Sequence, residues 1–215
     1  PEKFASEKEI FNNIHAGNRI FIGSGCGEPQ HLLQTLISYV ASEPKAFLDT
    51  EILQVWTFGV APYASLKFKH NFRLNTFFIE RIARETVNKG MADYTPVFAS
   101  EIPELFNRKL VQVDAALVQT SLPDEHGYLS LGISVDIVKA AVENAALVIA
   151  QVNAHMPRVH GDTFVHVQDV NYLIHHDEPL LEYEAQGGDD VAWKIGNHVS
   201  QLIEDGDTIQ VGYGN

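Results

Sequence analysis

The last stretch of the sequence reads Leu202-Ile203-Glu204-Asp205-Gly206-Asp207-Thr208-Ile209-Gln210-Val211-Gly212-Tyr213-Gly214-Asn215. A similar stretch near the start reads Ile14-His15-Ala16-Gly17-Asn18-Arg19-Ile20-Phe21-Ile22-Gly23-Ser24-Gly25-Cys26. Both combine a helix end, a glycine turn, a short apolar strand and a Gly-x-Gly exit. The offset is constant, because 206 minus 17 and 214 minus 25 both give 189. A repeat of that length is the size of a whole domain, so the sequence predicts two similar domains in tandem.

The predicted domain boundary lies at a segment rich in glycine and aspartate, residues 184–190. The first domain is expected to span residues 1–190. Residues 191–215 are then the truncated start of the second domain, with its first helix and first strand. We therefore interpret the sequence as a fragment that stops inside the second domain. Because it begins at Pro1 rather than at Met, its N-terminus is expected to be trimmed as well.

Composition limits the classes of function. The chain has 215 residues, of which 45% are hydrophobic, so it can bury a substantial core. Its formal net charge of -13 argues against nucleic acid or an anionic membrane as the main partner. A single cysteine excludes an internal disulfide. We find neither a signal peptide nor an apolar run long enough to span a membrane, so a cytoplasmic location is expected.

Hydrophobic periodicity predicts an α/β fold with a mostly parallel sheet between helix layers. Residues 147–152 are so apolar that both faces of this strand must be covered. The predicted strands cover residues 19–22, 51–58, 72–79, 95–99, 114–119, 147–152 and 170–174. The predicted helices cover residues 6–16, 80–87, 101–108 and 192–203, with others starting at Pro29 and capped by Ser134. The strand-to-loop ends along one edge are the expected site.

The two Gly-x-Gly loops are the first candidate site. Glycines after a strand allow main-chain amides to approach an anion or a carbonyl oxygen, and adjacent amides can stabilise a phosphate or an oxyanion. In the first loop these residues are Gly23 and Gly25, followed by Glu28 as a candidate base. A tight strand-to-helix turn explains the same pattern and stays open for this loop. Duplication and the neighbouring Gln210 favour function for the second loop.

A second candidate is the histidine-rich segment after residue 152. Imidazole and carboxylate groups suit a zinc or iron site, and the segment offers His155, His160, Asp162 and His166. The spacing matches no metal signature, so a hydrogen-bonded loop is the favoured interpretation. Arg158 is a candidate to hold a substrate carboxylate.

Two further candidates have simpler explanations. His126 lies beside Asp124 and Glu125, but Pro-Asp-x-x-Gly is a strong turn former. Cys26 follows a strand near a helix N-terminus, which would lower the pKa of its thiol. Its counterpart in the repeat is Asn215, so the repeat gives no support for a required thiol.

Four motifs in order resemble the acetyl-CoA hydrolase/transferase family of class I coenzyme A transferases, most closely its 4-hydroxybutyrate CoA-transferase branch. The motifs lie at residues 23–29, 126–136, 150–162 and 202–215, and the likeness covers essentially the whole chain. The resemblance implies two related α/β domains with an active site between them. It also implies that a glutamate of the second domain is the nucleophile, about twenty residues beyond the last motif. No catalytic residue is therefore expected within the chain.

The resemblance also implies the chemistry and the ligands. The protein would move coenzyme A between short-chain carboxylates through a glutamyl-CoA thioester, with coenzyme A as substrate and no resident metal or other cofactor. By the same match, Gln210, Gly212, Gly214 and Asn215 belong to the oxyanion and CoA-binding loop. The candidate cleft-lining residues are Gly23, Gly25, Glu28, Arg158 and His160.

Several alternatives stay open at this point. An acetyl-CoA hydrolase has the same fold and uses water as the acceptor. A metal-dependent hydrolase would use the histidine-rich segment, and a non-enzymatic α/β module would only bind a ligand. The expected partners are acyl-CoA, short carboxylates and the missing C-terminal domain, and a homodimer is one candidate assembly.

Overall fold

The structure, a computed structural model, describes residue 3 and residues 7–59, 61–79, 81–183 and 187–212. The chain divides into two units, Pro1–Leu181 and Glu182–Asn215. The larger unit contains a seven-stranded sheet in which each of the neighbouring pairs is parallel. The domain boundary expected after residue 190 stays a prediction, and residues 184–186 of the expected linker lie outside the described residues.

The elements follow one another in short segments. The strands are β1 (Arg19–Ile22), β2 (Thr50–Gln54), β3 (Phe72–Thr76), β4 (Ala92–Tyr94), β5 (Ala115–Thr120), β6 (Tyr128–Ser130), β7 (Leu147–Val152), β8 (Phe164–His166) and β9 (Tyr172–His175). The helices are α1 (Glu7–Phe11), α2 (Gln30–Ser42), α3 (Arg81–Asn88), α4 (Ile102–Asn107), α5 (Val138–Asn144) and α6 (Asp190–Ser200). None of the helices in the described part of the chain is long and apolar enough to cross a membrane.

The order of the strands in the sheet is β4-β3-β2-β1-β5-β7-β9, and β6 pairs with β8 in a separate antiparallel ribbon. The chain therefore builds the sheet outward from β1 on one side and then from β5 on the other. Ligands of such sheets bind outside the carboxyl ends of the strands where this order reverses. Here the reversal lies between β1 and β5, so the loops after these two strands mark the expected site.

Both faces of the sheet carry an apolar core, as a parallel sheet between helix layers requires. Along β1, Phe21 belongs to one cluster of buried side chains, and Ile20 and Ile22 belong to the other. The first cluster includes Phe106 of α4 and the second includes Leu36 of α2. The predicted α/β fold is therefore confirmed.

Four local predictions in the larger unit differ from the structure. The strand expected at residues 95–99 lies earlier, in β4, because Ala92 pairs with Leu74 and is buried, whereas the side chain of Phe98 is 77% exposed. Ser134 does not cap α5. The carboxylate of Asp136 accepts the amides at the start of that helix instead, and Ser134 contacts the loop after β1. The strands expected at residues 51–58 and 72–79 also end early, at Gln54 and Thr76.

The smaller unit contains α6, which confirms the predicted helix. The helix begins where the side chain of Asp189 accepts the amide of Ala192 at 2.8 Å. The strand expected after it is not formed in residues 207–212, which the structure describes without regular secondary structure. Ile209 and Val211 are exposed there. A short apolar segment becomes a buried strand only when neighbouring strands pair with it.

Candidate active site at the carboxyl edge of the sheet

The glycine loop, residues 23–29, connects β1 to α2 at the point where the strand order reverses. Four of its amides donate hydrogen bonds to main-chain carbonyl oxygens of the protein itself. These bonds are Gly23 to Leu117 (2.8 Å), Gly25 to Trp56 (3.0 Å), Gly27 to Ser24 (3.1 Å) and Glu28 to Gly25 (3.3 Å). Because these amides are already engaged, the geometry favours a packed strand-to-helix turn over an anion-binding loop.

Close packing explains why this turn needs glycine. Gly25 has a φ of +58°, which favours a residue without a Cβ. A Cβ on Gly27 would lie 2.6 Å from the Cβ of Ser134. The hydroxyl of Ser134 donates to the carbonyl of Ser24 at 2.7 Å, and the hydroxyl of Ser24 donates to Asp136 at 2.7 Å. The glycine loop is therefore fastened to the segment that precedes α5.

Glu28 connects the glycine loop to the loop that follows β2. Its side chain is fully buried, and its Oε2 accepts the amide of Gly59 at 3.3 Å. Gly59 follows β2, and a Cβ there would lie 2.3 Å from the side-chain amide of Gln30, so that side chain would have to shift. Glu28 thus links the loops after β1 and β2, and its role as a base or as a cleft-lining residue stays a prediction.

Below the glycine loop lies the amide network, which we define as the side chains of Gln119, Gln151, Asn153 and Glu178. The first three side chains are at least 96% buried. The bonds of the network are Gln119 Nε2 to the Glu28 carbonyl (3.1 Å), Asn153 Nδ2 to Gln119 Oε1 (2.7 Å), Asn153 Nδ2 to the Glu178 carbonyl (2.8 Å) and Gln151 Nε2 to Glu178 Oε1 (2.6 Å). The network joins the carboxyl ends of β5 and β7 to the segment after β9.

The same network occupies the N-terminus of α2. The first amides of a helix lack partners within the helix and commonly bind anions. Here the amide of His31 donates to Glu178 Oε1 and the amide of Leu32 donates to Gln151 Oε1, each at 3.2 Å. Side chains of the protein thus take the place that a phosphate would otherwise take at this helix.

Arg158 fastens the loop that follows β5. Its guanidinium donates to the Leu122 and Tyr128 carbonyl oxygens at 3.2 and 2.9 Å, and to Asp124 at 2.9 Å. Hydrogen bonds from the amides of Tyr128 and His126, together with the charge of Arg158, hold the pKa of the Asp124 carboxyl below its ordinary value. These contacts favour a structural role for Arg158, and its role in holding a substrate carboxylate stays a prediction.

Side chains of the histidine-rich segment form an ion pair and hydrogen bonds within the protein. Among the residues that the structure describes, no group of three or more His, Cys, Asp and Glu side chains could hold a metal ion. Asp162 pairs with Lys139, and His160 is exposed. His166 accepts the amide of Gln168 through Nδ1 at 3.2 Å, while its Nε2 lies 3.0 Å from the His126 carbonyl. These contacts favour the hydrogen-bonded loop over the metal-dependent hydrolase.

The second glycine loop is described only in part. Gln210 and Gly212 lie in an exposed segment without regular structure. Gly214 and Asn215 lie outside the described residues. The assignment of this loop to oxyanion and CoA binding therefore stays a prediction.

Sequence reasoning missed the amide network. Gln119 and Gln151 are polar residues near the ends of the otherwise apolar strands β5 and β7, and they are paired in register. A polar side chain in such a strand is a signal, because a buried polar group must find a hydrogen-bond partner. The partners themselves, Glu28 and Glu178, lie far away in the sequence.

Comparisons with known proteins agree with this geometry. The family model of the acetyl-CoA hydrolase/transferase N-terminal domain matches residues 1–182. The chain is 39% identical over 213 residues to the 4-hydroxybutyrate coenzyme A transferase of Clostridium kluyveri, which covers 99% of the chain and 49% of that relative. It is 37% identical over 215 residues to the succinyl-CoA:acetate/propanoyl-CoA:succinate CoA transferase of Fasciola hepatica, which covers 100% of the chain and 44% of that relative.

Solved structures show the same fold. The 4-hydroxybutyrate CoA-transferase from Porphyromonas gingivalis superposes with a TM-score of 0.77 at 28% identity, over 98% of this chain and 48% of that one. RipA from Yersinia pestis superposes with a TM-score of 0.85 at 23% identity, over 95% of this chain and 49% of that one. The chain spans about half the length of the curated relatives named above.

Proposed function

The chain belongs to the acetyl-CoA hydrolase/transferase family, and on that premise we propose that its protein transfers coenzyme A between short-chain carboxylates. The proposed pair is acetyl-CoA and an acid similar to 4-hydroxybutyrate. The observation that carries the proposal is the 39% identity to a 4-hydroxybutyrate coenzyme A transferase over 99% of the chain. The parallel sheet with its glycine loop at the reversal of strand order supports it.

The proposed reaction proceeds through covalent intermediates on a glutamate. The glutamate carboxylate attacks the carbonyl of the acyl-CoA, and the CoA thiolate leaves to give an acyl-glutamyl anhydride. The thiolate then attacks the glutamyl carbonyl, which releases the first carboxylate and forms a glutamyl-CoA thioester. The acceptor carboxylate reverses these two steps and leaves as the new acyl-CoA. The sequence of steps needs no resident metal or redox cofactor, because coenzyme A enters and leaves as part of the substrates.

We assign the parts of this reaction to different segments. The nucleophilic glutamate is proposed to lie beyond Asn215, about twenty residues past the motif at residues 202–215, where the family resemblance places it. The oxyanion donors are proposed to come from the second loop, at Gln210, Gly212, Gly214 and Asn215. The engaged amides of the first loop support this division, because they are already bonded within the protein.

Hydrolysis by the same fold is the second candidate. Water would then attack the acyl or glutamyl carbonyl in place of the acceptor acid. The family model covers both activities by its description. Five curated relatives, from 39% identity down to 30%, are all named as CoA transferases, which favours transfer.

Covalent trapping tests the proposal. The full-length protein is incubated with acetyl-CoA, treated with borohydride or hydroxylamine, and measured by intact mass, with the 215-residue chain as the control. We expect a modified glutamate in the full-length protein alone. An adduct on the short chain would contradict the placement of the nucleophile. Free CoA released without an acceptor acid, at the rate seen with one, would favour the hydrolase.

A further inference from the structure

Asn153 is the centre of the amide network, and its side-chain amide is fully bonded. Its Nδ2 donates to Gln119 Oε1 and to the Glu178 carbonyl. Its Oδ1 accepts the amides of His155 at 3.0 Å and Glu178 at 3.3 Å. The side chain has two donor hydrogens and two acceptor sites, so all four are used in a position with no exposure to solvent.

The bonds run from Asn153 to the glycine loop in a fixed direction. Gln119 must present its Nε2 to the Glu28 carbonyl, so its Oε1 has to face Asn153. Asn153 must therefore donate at that point, which a carboxylate of the same shape cannot do. Buried hydrogen bonds in such a chain strengthen one another, and an unsatisfied member is costly. The identity of residue 153 thus affects the position of Glu28, which lies within the glycine loop that follows β1.

The same residue also holds the start of α2. Asn153 bonds both the amide and the carbonyl of Glu178, which fixes the main chain at that residue. Glu178 in turn accepts the amide of His31 in the first turn of α2. Both the loop and the helix that follows it therefore depend on one buried amide.

We propose that Asn153 is a positioning residue for CoA transfer, which sets the glycine loop and the start of α2 at the carboxyl edge of the sheet. This inference rests on the proposed function. Asn153 is not proposed to contact the substrate. It acts by holding the glycine loop in place. Small misplacements of groups near a reaction centre are enough to slow an enzyme by large factors.

The test compares Asn153→Asp with Asn71→Asp in the full-length protein. Asn71 is a matched control because it is 6% exposed and its Nδ2 also donates to two carbonyl oxygens, of Pro44 at 3.0 Å and Ala46 at 2.8 Å. It precedes β3 at the opposite, amino edge of the sheet. We expect Asn153→Asp to lower kcat roughly tenfold or more with KM changed less than about threefold. Asn71→Asp should lower the Tm without this effect on kcat.

Hydrogen exchange gives a readout that does not depend on activity. Peptides that cover residues 23–33 should exchange faster in Asn153→Asp and keep the wild-type rate in Asn71→Asp. Gln119→Met is the milder variant in case Asn153→Asp does not fold, because it introduces no charge. It removes the bonds of Gln119 to the Glu28 carbonyl and to Asn153, but it leaves Asn153 bonded to Glu178. It should show the same exchange pattern with a smaller fall in kcat.

Each outcome decides between the proposals. Equal losses of kcat in the two aspartate variants, or unchanged exchange over residues 23–33 in both Asn153→Asp and Gln119→Met, would overturn the positioning role. A wild-type protein without CoA-transferase activity would overturn the proposed function. The exchange comparison would then decide by itself whether Asn153 holds the loop.

Discussion

At the amino edge of the sheet, charged side chains in contact with water join neighbouring strands, whereas buried amides join the loops at the carboxyl edge. Arg19 pairs with Glu51 at 2.5 Å, and Arg73 pairs with Asp93. These side chains are between 23% and 59% exposed. Three of them, Arg19, Glu51 and Arg73, border an open hollow of about 580 Å³. Its other lining residues are Gly17, Asn18, Asp49, Gln112 and Asp114.

The two edges therefore differ in how strongly hydrogen bonds constrain their side chains. Exposed ion pairs contribute little, because water and salt compete with them. Buried amides contribute more through the cost of leaving one unsatisfied. The carboxyl edge, which carries the candidate active site, therefore has the stricter hydrogen-bond geometry. Substitutions at the two edges should differ in their cost.

The largest difference is expected between Gly27→Ala and Gly17→Ala. A Cβ at residue 27 would lie 2.6 Å from the Cβ of Ser134, so we expect a loss of about 2–3 kcal/mol from overpacking. Gly17 has a φ of +76° and nothing within 4 Å of a Cβ, so only backbone strain of about 1 kcal/mol is expected. Urea unfolding of the two variants measures both costs. Equal losses would contradict the contrast between a crowded and an open edge.

The next effect concerns Glu178. Glu178→Ala removes the acceptor of the His31 amide and of Gln151 Nε2, and it should cost about 2 kcal/mol because two part-buried hydrogen bonds are lost. Glu178→Gln keeps an acceptor oxygen at that place, so it should cost clearly less. Urea unfolding gives both values. If the glutamine variant were as unstable as the alanine variant, the charge of Glu178 rather than its hydrogen bonds would be what stabilises this edge.

The sequence predicted the strands more reliably than the network that connects their ends. The short apolar runs of β1 and β7 are local signals, and both strands lie where they were expected. β4 was placed too late, because its position depends on pairing with β3 rather than on its own composition. The bonds of Asn153 reach Gln119 and Glu178, which are adjacent only after the sheet has formed.

The candidate site shows the same limit. The glycine loop is evident in the sequence because its spacing is local and repeated. The engagement of its amides is not evident, since their acceptors come from distant residues such as Leu117 and Trp56. The expected contact of Arg158 with a carboxylate has a counterpart in the fold, but that carboxylate belongs to Asp124.

The smallest effects concern two aspartates whose pKa lies below the ordinary value. Hydrogen bonds from the amides of Tyr128 and His126 lower the pKa of Asp124, and a hydrogen bond from Arg73 lowers that of Asp93. Each carboxylate therefore contributes stability that is complete above the unfolded-state pKa of about 3.9 and is lost as pH falls through the folded-state pKa. Asp124→Asn and Asp93→Asn should therefore have a lower free energy of unfolding than wild type near pH 7. Both differences from wild type should shrink below about pH 4.

Salt separates these two aspartates. The Arg73–Asp93 pair is 59% and 45% exposed, so raising the salt concentration to about 1 M, where the Debye length is about 3 Å, should reduce the effect of Asp93→Asn towards zero. Asp124 instead accepts main-chain amides directly, at 2.8 Å from Tyr128 and 3.0 Å from His126. Its effect should persist at the same salt concentration in urea unfolding at pH 7. If both effects fell equally, the charge of Arg158 would dominate at Asp124, and exposed ion pairs would stabilise both edges alike.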